Sequence, residues 1–89
     1  MSRFYFHIRL GDQIIVDQEG SDLADPAAAH EEALAAARQI LADAIRSGSE
    51  DSPEAFVIAD GEGRELETVL FAAVLPKRLQ YQPQPAASG

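Results

Sequence analysis

Residues 26–47, PAAAHEEALAAARQILADAIRS, are the one stretch long and periodic enough to specify a helix. The sequence marks both its ends. Asp25 suits the N-cap, where its carboxylate can accept from the first free N–H groups, and Pro26 suits the first helical position because its missing N–H would be unpaired there anyway. Gly48 is placed to end the helix in a left-handed turn. Glu31 and Glu32 lie toward the positive end of the helix dipole and Arg46 toward the negative end, each a weak favourable term. At 100° per residue, Ala33, Leu34, Ala37, Ile40, Leu41, Ala44 and Ile45 fall on one apolar stripe, with Glu31, Glu32, Gln39 and Arg46 away from it. Alanines on that stripe let the helix come close to a flat partner, so the partner should be a sheet.

Working outward from the helix, the segments on either side read as strands. Arg3 to Leu10, RFYFHIRL, alternates strictly: Phe4, Phe6, Ile8 and Leu10 take one face, and Arg3, Tyr5, His7 and Arg9 the other. Gly11-Asp12 is a two-residue turn, Gln13 to Asp17 a returning strand, Gln18-Glu19-Gly20 a second turn, and Ser21 to Ala24 a run to the helix cap. Beyond the helix, GSEDSPE (residues 48–54) is a polar loop and Ala55 to Asp60 a third strand. Gly61-Glu62-Gly63 is a turn, and Arg64 to about Leu75 a fourth strand. The expected fold is α+β, ordered ββαββ, with a four-stranded antiparallel sheet and the helix packed on one face. Residues 1–75 form this single domain. From Pro76 the composition changes to PKRLQYQPQPAASG, and residues 76–89 are expected to be a largely disordered tail.

The first hairpin admits two registers. A two-residue loop pairs Leu10 with Gln13, Arg9 with Ile14 and His7 with Val16, which sets Ile14 and Val16 beside Tyr5, His7 and Arg9 on the face away from the helix. A three-residue loop shifts the pairing by one and turns Ile14 and Val16 into the core. Either way at least one aliphatic residue stays outside. The second hairpin has the same surplus, since Phe56 and Ile58 alternate with Val57, and Leu66, Thr68 and Leu70 with Val69 and Phe71. Two partly apolar sheet faces with one helix to cover them point to self-association. Tyr5, Ile14, Val16, Val57 and Val69 are the candidate contacts.

Composition narrows the function classes. Eighty-nine residues make one domain that buries roughly 60–65% of its unfolded surface, a thin margin that small proteins often reinforce by oligomerising. With no cysteine there is no disulfide framework, thiol nucleophile or thiolate metal site. No apolar run reaches the length of a membrane span and no signal-peptide pattern opens the chain, so a cytoplasmic location is expected. The formal charge of −8 opposes general affinity for a phosphate backbone. No Lys or Arg occurs from Gly11 to Ala37, where Asp12, Asp17, Glu19, Asp22, Asp25, Glu31 and Glu32 all lie. This is the pattern of an acidic, solvated rim.

Several motifs occur in a recognisable order: the aromatic-His-x-Arg strand in RFYFHIRLGDQIIVDQEGSDLAD, the D-x-E-G turn, the helix beginning HEEALAAARQILADAI, and the D-G hairpin in FVIADGEGRELETVLF. In that order, from Arg3 to about Phe71, the chain resembles a family of small bacterial proteins, common in soil and plant-associated species, classed as a domain of unknown function. The resemblance implies the domain's extent. It brings no assigned activity and no functional residues.

Residue by residue, little chemistry is specified. Arg3, Tyr5, His7 and Arg9 make a cationic and aromatic stripe of the kind single-strand-binding sheets use, so nucleic-acid binding by that face is the alternative to self-association, although one aromatic in acidic surroundings argues against it. His30 lies near the middle of the helix stripe and is expected at the core edge, bonded to a backbone carbonyl. Alternation sends His7 to the far side of the sheet, so the two histidines do not make a metal site. Asp17, Glu19, Asp22 and Asp25 fail the EF-hand spacing, with Asp22 at the sixth position and Ala28 at the twelfth, and read as turn and cap residues. Asp60-Gly61-Glu62-Gly63 lacks the Lys and the following helix of a phosphate loop. No serine has a histidine placed beside it, and one sheet with one helix offers little concavity. The expectation is a non-enzymatic protein-interaction module that forms a homodimer through the open sheet face or a strand edge, or meets an unidentified protein partner, with no cofactor, no metal and no membrane.

Overall fold

The structure is a computed structural model and describes residues 1–49 and 52–77. The chain runs β1 (Ser2–Leu10), β2 (Gln13–Ile15), β3 (Ser21–Leu23), α1 (Pro26–Ser47), β4 (Ala55–Ala59), β5 (Glu65–Leu70) and a 3-10 turn at Phe71–Val74. The fold is α+β with an antiparallel sheet, as the sequence implies. It has five strands rather than four, in the order β2-β1-β4-β5, with β3 also paired to β1. The tail beyond residue 77, and residues 50–51 of the polar loop, lie outside the described residues.

The helix has the ends its sequence encodes. Asp25 Oδ1 accepts from Ala28 N–H at 2.8 Å, Pro26 opens the first turn, and Gly48 closes the last at φ +74°. The apolar stripe is shorter than its periodicity suggests. Ala29, Ala33 and Ala37 are fully buried against Phe4, Phe56, Ile58, Val69 and Phe71, whereas Ile45 is 73% exposed. Among the described residues nothing covers Ile45, in the final turn.

The first hairpin takes the two-residue loop. Leu10 pairs with Gln13, Arg9 with Ile14 and Ile8 with Ile15. Gly11 at φ +61° with no positive φ at Asp12 is the pattern of a type II′ turn. The expected His7–Val16 pair does not form, because β2 stops at Ile15. The segment expected only as a run to the helix cap is a strand, with Ser2, Arg3 and Phe4 paired to Leu23, Asp22 and Ser21. The fourth strand ends at Leu70 rather than near Leu75. Phe71 donates its N–H to Glu54 O at 2.9 Å and turns its ring onto Phe56, with centroids 5.0 Å apart. The chain then tightens into the 3-10 turn before Pro76.

Candidate functional site

The uncovered side of the sheet is where the sequence places its binding residues, and Arg3, Tyr5, His7 and Arg9 do share that side. Pairing across the sheet sets Ile14, Arg9, Ala55 and Leu70 in one row, with His7, Val57 and Thr68 in the next. Phe56 and Ile58 belong to the helix-facing core and Val57 does not, yet Val57 is only 2% exposed. Among the described residues no helix lies over it; its cross-strand neighbours on that side are His7 and Thr68.

This alters which residues can meet a partner. Of the five candidate contacts, Tyr5 is half-buried and Ile14 and Val16 are exposed. Val57 is buried. Val69 sits opposite Phe56 on the helix side and is buried in the core, so it does not belong to the open face at all. The register of the second hairpin is responsible: it shifts at an irregularity between Ile58 and Ala59, with Glu67 opposite Ile58 and Glu65 opposite Ala59, which leaves Leu66 as an extra residue. The apolar side chains of the paired strands that reach solvent around this face are Ile14 (49% exposed), Leu70 (55%) and the bulge residue Leu66 (43%); Val16, just past the end of β2, is 59% exposed.

Three of the four stripe residues already have internal ties. Arg3 grips Asp22 with two bonds, Nε to Oδ1 at 3.0 Å and a terminal nitrogen to Oδ2 at 3.2 Å, and donates to Glu19 O at 2.7 Å. Tyr5 and His7 stack on each other, 6.4 Å between centroids. His7 Nδ1 accepts the Asp17 N–H at 3.0 Å. A backbone N–H can only donate, so Nδ1 carries no proton in this arrangement and the ring presents Nε2–H outward. Among the described residues, Arg9 alone of the four has no such tie.

Asp17 occupies the gap between β2 and β3. Its Oδ2 accepts from Phe6 N–H at 3.0 Å, and its Oδ1 accepts from Glu19 and Gly20 N–H at 3.1 Å each. The amide of Phe6, which a continuous strand would have paired, is therefore taken by a side chain. Partial burial pushes the Asp17 carboxyl up, and the three amide bonds outweigh it, holding the group below its ordinary value of 3.8. A carboxyl depressed on folding stabilises the fold above its unfolded value, and that contribution is lost as pH falls through the folded value. Acidification below about pH 4 should therefore lower the urea midpoint of the wild-type protein, and Asp17→Asn should flatten that limb while lowering the midpoint at neutral pH.

A shallow depression of about 240 Å³ lies between Tyr5, His7, Asp17, Asp60, Gly61 and Gly63. Both its carboxylates are occupied. Asp17 holds three amides, and Asp60 accepts from the N–H groups of Glu62 and Arg64 and from Arg64 Nε. Among the described residues, neither carboxylate has a hydrogen bond to the His7 ring, whose Nδ1 is taken by the Asp17 N–H. Among the described residues, no three His, Cys, Asp or Glu side chains gather as a metal site would require, and no helix is long and apolar enough to cross a membrane.

His30 departs from expectation. Its partner is a carboxylate rather than a backbone carbonyl, with Nδ1 2.7 Å from Glu67 Oε2, and both side chains are about two-fifths exposed. The pair ties the helix to β5. At that exposure it is worth less than about 1 kcal/mol, so His30→Ala or Glu67→Gln should move a urea unfolding curve only slightly.

Residues 3–72 match the model of a family described as Domain of unknown function (DUF6894). No curated protein and no solved structure matches the chain.

Proposed function

We propose, for a chain that belongs to the DUF6894 family and so inherits no assigned activity, that it is a non-enzymatic protein-interaction module that self-associates through the uncovered part of its sheet. The observation that carries this reading is the set of half-exposed aliphatic side chains, Ile14, Leu66 and Leu70, on a sheet whose helix lies on the other side. A small domain gains most by sheltering such surface against a copy of itself. The internal ties of Arg3, Tyr5 and His7 support a structural rather than a ligand-binding role for the β1 stripe, and the acidic balance of the chain gives an incoming nucleic acid little to hold. The reading is tested by light scattering on the eluting protein from about 5 to 200 µM. A mass that rises to twice the monomer's supports it, and a folded monomer throughout that range overturns it.

A further inference from the structure

Among the described residues the sheet ends in the short strands β2 and β3 on one side of β1 and in β5 on the other, and the two margins differ. The β2 margin is three residues long and lies between Asp12 and Asp17 in the acidic segment. A second copy there would bring those carboxylates together. The β5 margin is six residues long, ELETVL. Along it the direction of the backbone groups follows from the pairings. Phe71 N–H bonds to Glu54 O, so Val69 and Glu67, in step with it, turn their N–H and C=O groups toward β4. Thr68 and Leu70 then turn theirs outward. These outward groups, flanked by exposed Leu66 and Leu70, form an edge with no strand beside it among the described residues.

We infer that two copies join along this margin, β5 against β5 in antiparallel register centred on Thr68, so that the two sheets become one. This rests on the self-association reading above and takes its Leu66 and Leu70 side; Ile14, on β2 at the opposite margin, stays outside the contact. Charge selects the register. A pairing centred on Leu66 would set Glu65 opposite Glu67 of the other copy, and one centred on Glu67 would set the two Glu67 residues face to face; both place like charges at direct cross-strand distance. Pairings centred on Val69 or Leu70 run off the strand into the 3-10 turn. Centring on Thr68 avoids both problems. Thr68 then meets its own equivalent, each Leu70 meets the bulge residue Leu66 of the other copy, and each Glu67 lies opposite Val69. Glu67 also already has His30 within 2.7 Å. A two-fold axis passes through the Thr68 pair, and the contact is self-complementary as a symmetric dimer requires.

The native chain has no cysteine, so one introduced thiol reports one contact. Thr68→Cys places two thiols on paired positions with Cα atoms about 5.5 Å apart, within disulfide reach. On mild oxidation at a concentration where the wild type is dimeric, it should cross-link nearly completely, while Ile45→Cys, exposed at the end of the helix, should stay mostly uncross-linked. Thr68→Pro removes an outward N–H that the fold of the single copy does not use. It should keep the wild-type far-ultraviolet spectrum and weaken dimerisation at least tenfold. A dimer of unchanged affinity in folded Thr68→Pro, or cross-linking of Thr68→Cys no greater than that of Ile45→Cys, overturns this register while leaving self-association standing. A wild type that stays monomeric throughout removes both.

Discussion

Phe56→Ala should cost about 3–5 kcal/mol, and a chemical denaturation curve should show it as a large fall in midpoint. Phe56 is almost wholly buried in the helix-facing core, with Phe71 5.0 Å away and Phe6 edge-on at 6.1 Å. Its substitution leaves a void that the rigid surroundings cannot close. Ala29, Ala33 and Ala37 are the facing surface, and they are fully buried with their single methyl groups already in contact. A backbone of regular helix cannot move inward at one point without moving along its length. A domain of this size has about 4–13 kcal/mol of total stability, so this one ring accounts for a large fraction of it. Phe56→Leu, which keeps more of the volume, should cost clearly less.

Gly20→Val should be the most damaging change outside the core, at about 3 kcal/mol, because strain and collision act together. Gly20 lies at φ +73°, which β-branched residues rarely adopt. A Cβ there would stand 2.9 Å from Tyr5 Cε2, 2.9 Å from Arg3 Cγ and 3.0 Å from the carbonyl oxygen of Phe4. Arg3 can swing away only by giving up its grip on Asp22, and the Phe4 carbonyl belongs to the strand. Gly48 is the control. Its φ is +74°, but nothing lies within 4 Å of a Cβ built on it, so Gly48→Ala should show the conformational cost alone, about 1 kcal/mol. Gly20→Ala should exceed it, and the difference between the two measures the collision.

Both sites are local consequences of how the chain closes on itself, and they divide what the sequence discloses from what it does not. The helix was legible to the residue, because Asp25, Pro26 and Gly48 act through bonds spanning a few positions. β1, whose alternation runs unbroken, was legible to within one residue at its start, and the turn at Gly11 was legible in place, with its register open between a two- and a three-residue loop. The end of β2 and the presence of β3 were not, because side chains far away in the sequence decide them: Asp17 takes the Phe6 amide, and Asp22 takes Arg3 from 19 residues on. A three-residue strand reading SDL carries no hydrophobic signature of its own.

The candidate contacts failed to separate for a related reason. Alternation says that Val57 and Phe56 point opposite ways, but it does not say that Val57, away from the helix, will be buried all the same. It cannot place Val69 either, because the face Val69 takes depends on the extra residue at Leu66. The margin of β5 was hidden behind the expectation of a strand reaching Leu75. Phe71, buried in the helix-facing core, and the 3-10 turn it opens end it at Leu70 instead.

The carboxylate lodged between β2 and β3 bears on how large any assembly can grow. It splits one flank of the molecule into pieces too brief to guide an arriving chain, while the opposite flank stays whole. A particle with one adhesive side pairs and is finished; only a particle with two can polymerise. Asp17 would thus act as a stop on growth, and a variant that let residues 13–23 straighten into one strand would be the one to watch for fibres.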